Sequence, residues 1–104
     1  MLTDAETQTK QALQTLTDAD ARADAWGQLG MRYHGSHLAF EAETAYGRAL
    51  TEAESARWRY LRAIARMERG ELNLAIDDLR YAVAMDPGSM AAWYRLGVGL
   101  SIQG

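Results

Sequence analysis

The sequence contains no cysteine and a single proline, and its 104 residues include only 2 valines and 3 isoleucines. Without cysteine there is no disulfide framework, no zinc–thiolate cluster and no thiol nucleophile. β-Branched residues suit the pleated, half-buried surface of a strand, so their scarcity argues against a sheet of any size and against the all-β and α/β classes. No run of about 18 apolar residues occurs, so no membrane-spanning helix is expected. The opening Met1-Leu2-Thr3-Asp4-Ala5-Glu6 is polar and acidic, unlike a signal peptide. A strongly basic balance is missing too: the formal net charge is −3, and nucleic acid is not an expected partner.

What is present points to helices. There are 19 alanines and 12 leucines, residues that lose little free energy in a helix, so the chain is expected to be all-α. At 48% hydrophobic and 24% charged, it has the composition of an ordinary globular domain. Charge is unevenly spread. Residues 1–55 hold 4 basic and 9 acidic side chains, whereas residues 56–104 hold 7 and 5, so the positive surface belongs to the second half.

The chain also repeats itself. Trp26-x-x-Leu29, Trp58-x-x-Leu61 and Trp93-x-x-Leu96 are spaced by 32 and 35 residues. Trp26, Leu29, Gly30 and Tyr33 stand at i, i+3, i+4 and i+7, one face of a helix, and the glycine admits a close neighbour. Downstream lie Ala42, Ala45, Tyr46, Ala49 and Leu50, then Ala75, Leu79, Ala82 and Val83, whose small residues suit closely packed second helices. Gly35, Gly70 and Pro87-Gly88 punctuate the turns, and Asp86 before Pro87 ends a helix because proline disfavours helical geometry in the residue before it.

These motifs, from Trp-x-x-Leu-Gly-x-x-x-Tyr at 26–33 to the Asp-Pro stop at 86–87, resemble the tetratricopeptide repeat (TPR) family, with its two-helix unit of about 34 residues. The resemblance implies a TPR-type α-solenoid of antiparallel helix pairs, about six helices in all. Residues 1–22 then form an N-terminal capping helix and loop, with Thr17-Asp18-Ala19-Asp20 as the loop. The array spans 23–104: repeat one at 23–54, repeat two at 55–89, and the first helix of an incomplete third repeat at 90–104. Trp93, Leu96 and Leu100 lack the helix they would normally pack on. The second repeat departs from the pattern, with Arg62 in the small-residue place and Ala65 in the later aromatic place. Counted back from Gly70, its tryptophan also comes one residue early, implying either an insertion or a rotated helix.

Arg59, Arg62, Arg66 and Arg69 fall at i, i+3, i+7 and i+10, a stripe about 80° wide. Two readings are open: a solvated face paired with Glu68, Glu71, Asp77 and Asp78, or a basic stripe for an acidic peptide. The resemblance implies a concave partner-binding surface made by the first helix of each repeat. Carried onto this sequence, it gives Met31 and His34, then Arg59, Ala63, Arg66 and Met67, then Tyr94 and Val98. A partner with an apolar anchor and one or two carboxylates would fit. Gly27 and Met31 do not match the carboxylate-clamp members of the family that grip chaperone tails. The three tryptophans are read as core.

No motif argues for catalysis. His34 and His37 offer two imidazoles, with Glu41 as a third candidate, too few for a metal site. Ser36 beside His37 has no orienting third group. Glu41/Glu43, Glu52/Glu54 and Asp77/Asp78 point to different sides of a helix and read as solvated charges. Gly97-Val98-Gly99 has no preceding strand, so it is not a phosphate loop. The chain is therefore expected to be a protein-interaction scaffold rather than an enzyme, with no cofactor or metal. The alternatives are a homo-oligomerisation module closing through residues 90–104, or an accessory domain of a larger enzyme or transport component.

Overall fold

The computed structural model describes residues 3–15 and 18–104; the side chains of residues 3, 5 and 12–15 lie outside the described part. The alanine pattern of Ala5, Ala12 and Leu13, and Thr17 of the expected loop, therefore fall outside the described residues. Among the described residues there are six α-helices and no strand: α1 (Thr3–Thr15), α2 (Ala19–Gly35), α3 (Ala39–Glu52), α4 (Ala56–Glu68), α5 (Leu72–Met85) and α6 (Met90–Gln103). The all-α expectation holds.

Local chemistry sets the helix ends. Asp18 Oδ1 accepts from the Asp20 backbone N–H at 2.9 Å, so α2 starts at Ala19, inside the segment expected to form the capping loop. Ser55 Oγ accepts from Trp58 N–H, and Ser89 Oγ accepts from Ala92 N–H, both at 3.2 Å, satisfying first-turn donors of α4 and α6. Gly70 leaves α4 at φ +78°, the left-handed conformation for which glycine carries no steric penalty, and His37 takes φ +62° in the turn after α2.

Consecutive helices pack on one another, and the molecule extends over 44 × 26 × 18 Å. Arg22 of α2 meets Glu52 near the end of α3, while Gly30, further along α2, lies against Tyr46, so the two helices run antiparallel. Helices α4 and α5 do the same, with Arg59 over Tyr81 and Arg66 against Asp78. Two apolar clusters hold the stack. One contains Ala42, Tyr46, Ala49, Trp58 and Ala65; the other includes Ala63, Ala75, Leu79, Ala82, Ala92 and Leu96. The alanines let the helix axes approach while Tyr46, Leu79 and Trp58 fill the space between them.

Helix boundaries fix the register between units. Helices α3 and α5 are both 14 residues long and offset by 33 residues at each end, whereas α4 and α6 begin 34 residues apart. By this register Leu79 is the counterpart of Tyr46, and buried Ala63 is the counterpart of buried Gly30. Trp26 then corresponds to Arg59 and to Trp93. Trp58 is displaced from that place by one residue, which rotates it by about 100° around the helix. Its ring faces back onto α2 and α3, stacked on Tyr46 with ring centres 6.0 Å apart. The one-residue discrepancy seen in the sequence is thus a change of face. Only Trp58 of the three tryptophans is buried; Trp26 is half-buried and Trp93 is 49% exposed.

Candidate interaction surfaces

The arginine stripe of α4 lies between α3 and α5 and closes on acids of this same chain. Asp78 of α5 has a side chain 1% exposed and accepts from three guanidinium groups. Arg59 Nη1 reaches Oδ1 at 3.0 Å, Arg62 reaches Oδ1 and Oδ2 at 2.7 and 2.9 Å, and Arg66 Nη1 reaches Oδ2 at 2.9 Å. The remaining donors are also engaged. Arg66 Nε donates to Glu43 at 2.8 Å, Arg59 Nε donates to Glu54 at 2.9 Å, and Arg69 donates to Glu43 and Glu71. Arg59 and Arg69 further cover the rings of Tyr81 and Phe40 at 4.2 and 4.8 Å.

Electrostatics follow from that geometry. Burial pushes the Glu43 carboxyl up, but hydrogen bonds from Arg66 and Arg69 outweigh it and hold the group below the usual carboxylate range. Hydrogen bonds from Arg59 lower Glu54 in the same way, and Glu54, with Asp78, keeps Arg59 charged to still higher pH. Four guanidinium groups face four carboxylates, so the cluster is close to neutral. It is neither a solvated face nor a free basic stripe: Arg59, Arg62 and Arg66 have side chains only 15–16% exposed. Asp78, expected as a solvated charge, is its buried hub, because the one-turn spacing of the arginines converges on one carboxylate of the facing helix.

The residues carried over from the family resemblance do not share one surface. Met31, Met67, Tyr94 and Val98 lie along the side that α2, α4 and α6 have in common, with His34 beside them. Arg59 and Arg66 face the opposite way, into the Asp78 cluster, and Ala63 is fully buried. By the observed register the α4 counterparts of Tyr94 and Val98 are Tyr60 and Ile64, both partly exposed, which alignment on tryptophan overlooked. Tyr60 and Arg57 also border a small cleft of about 140 Å³ closed by Asp86, Ser89 and Ala92.

His34 links three helices. Its Nδ1 is 3.2 Å from the buried Tyr46 hydroxyl and its Nε2 is 2.9 Å from Glu68. Burial pushes the Tyr46 phenol up to about 12. Both ring nitrogens of His34 are therefore occupied by protein. Among the described residues, no three His, Cys, Asp or Glu side chains are grouped to hold a metal ion, and no helix is long and apolar enough to cross a membrane.

Helix α6 packs on α5 and leaves its other face open. Gly99 lies against Ile76, and Leu96 is buried, but Trp93, Tyr94 and Ile102 are 49%, 70% and 65% exposed. Trp93 Nε1 donates to the Pro87 carbonyl at 2.8 Å, which satisfies its polar atom and leaves the ring as surface. No protein-family model matches the chain, and no curated protein matches it in sequence.

Proposed function

We propose that the chain is a protein-interaction module, built as a TPR-like α-solenoid, that binds a protein partner through the side shared by α2, α4 and α6 and performs no chemistry of its own. One observation carries this reading: α6 presents Trp93, Tyr94 and Ile102 on a single open face while its opposite face is packed into the core. Large apolar side chains grouped on one exposed face mark association surfaces, because covering them removes apolar area from water. The Asp78 cluster supports an apolar partner over an acidic one, since the guanidinium donors of Arg59 and Arg66 are already engaged within the chain.

A displayed peptide library selected on the full chain tests this. Selected peptides are expected to lose binding to a Tyr94→Glu/Val98→Glu variant and to retain it on Arg59→Lys. Peptides that bind the double variant as well as the parent chain place the binding surface elsewhere and refute the reading.

A further inference from the structure

The covered face of α2 shows what the open face of α6 is shaped to receive. On α2 the face is made by residues 27, 30, 31 and 34. A Cβ at Gly27 would stand 2.2 Å from the Trp58 ring, and one at Gly30 would stand 2.6 Å from the Tyr46 ring, so both glycines exist under bulky neighbours. Met31 Sδ is 3.4 Å from Arg57, and His34 meets Tyr46 and Glu68. The corresponding residues of α6 are Tyr94, Gly97, Val98 and Ser101. With Trp93 and Ile102 they line an open trough of about 450 Å³ that contains no charged side chain. A Cβ at Gly97 would meet nothing within 4 Å. Within this fold, then, Gly97 occupies a place whose counterpart is buried under a ring.

We propose that this trough docks a single amphipathic helix of a separate protein, which seats an aromatic ring on Gly97 between small residues, as α3 seats Tyr46 on Gly30 between Ala42, Ala45 and Ala49. The proposal rests on the interaction-module reading and names the partner's chemistry. The trough is uncharged, so the docking side of the helix is apolar, like the side that α3 buries. Tyr94 limits the occupant to one helix. It stands where Gly27 makes room for Trp58, so a second helix cannot pack on α6 as α4 packs on α2, and an aromatic side chain is already present where Trp58 stacks on Tyr46. Ser101 replaces His34 and offers a hydroxyl to a tyrosine on the incoming helix. A second folded copy of this chain has no such helix to offer, because its own Tyr46 is fully buried.

The test uses the full chain and a synthetic peptide of residues 38–53, held helical by a lactam bridge between positions 44 and 48, both exposed in α3. Saturable binding by fluorescence anisotropy is expected, weakened about 10-fold or more when the peptide carries Tyr46→Ala. Gly97→Ala in the chain is expected to weaken binding by a similar factor while raising the thermal midpoint, since alanine is the better helix former and its methyl group has open space. A purely structural role for Gly97 cannot give a more stable chain that binds less. Equal binding by Gly97→Ala, or no saturable binding of the bridged peptide, overturns the proposal; if library peptides still bind in a Tyr94-dependent way, the interaction module stands and only the aromatic helix fails. A dimer in light scattering that Gly97→Ala dissociates overturns it in favour of a second copy.

Discussion

Arg62 and Asp78 make a two-point contact, Nε to Oδ2 at 2.9 Å and Nη2 to Oδ1 at 2.7 Å, at the positions that Leu29 and Ala45 hold one unit earlier. The same place in the helix stack is thus filled by an apolar pair in one unit and by an ion pair in the next. A fork-shaped guanidinium matches a carboxylate in two parallel hydrogen bonds, and Arg59 and Arg66 complete the acceptor sites of Asp78. Long arginine stems cover apolar surface while their heads converge, so the substitution keeps the helices spaced without leaving a cavity.

Removing the hub should cost far more than a surface ion pair. Asp78→Ala leaves three part-buried guanidinium groups short of an acceptor and is expected to lower stability by about 3–5 kcal/mol in urea unfolding. Arg62→Leu/Asp78→Ala, which installs the residues of the first unit, should recover part of that loss. A single-mutant effect below about 1 kcal/mol would mean that the cluster behaves as exposed charge.

Glycines at equivalent places should respond in opposite directions. Gly30→Ala drives a methyl group into the Tyr46 ring and is expected to destabilise by about 1–3 kcal/mol. Gly35→Ala has open space around its Cβ, and its effect should stay within about 0.5 kcal/mol. Thermal unfolding followed by circular dichroism distinguishes the two; equal effects would contradict the close ring contact.

Alkaline pH should unfasten the Tyr46 cluster. Burial pushes the phenols of Tyr46 and Tyr33 up to about 12. A folded-state value above the unfolded value of about 10 gives stabilisation that is complete below pH 10 and is lost as pH rises through the folded value. Tyrosinate absorbance should therefore show two phenols ionising late, and Tyr46→Phe should flatten the alkaline fall in unfolding free energy. A single titration of all five tyrosines near their ordinary value would refute this.

Acid acts through the carboxylates. Glu43 and Glu54 are held below their ordinary range in the folded state, so their stabilisation is present above the unfolded value of about 4.3 and is lost as pH falls through the folded values. Glu43→Gln is expected to lower stability at neutral pH and to reduce its further decline in acid. An acid profile parallel to that of the parent chain would remove Glu43 from the linkage.

The sequence by itself determined the helices. Alanine and leucine in place of β-branched residues, Ser55 and Ser89 as caps, and stops at Gly70 and Pro87 are local chemistry, legible without any contact between distant residues. It also marked the arginine stripe and the open face of residues 90–104. What only tertiary structure decided is which way α4 faces. Alignment on tryptophan set Trp58 beside Trp26, but one residue is about 100° of helix rotation, and that angle separates a partner-facing surface from a helix interface. The choice was made by burial of Tyr46 against Trp58 and by Asp78 drawing three guanidinium groups inward, contacts 12 to 19 residues apart that no local pattern encodes.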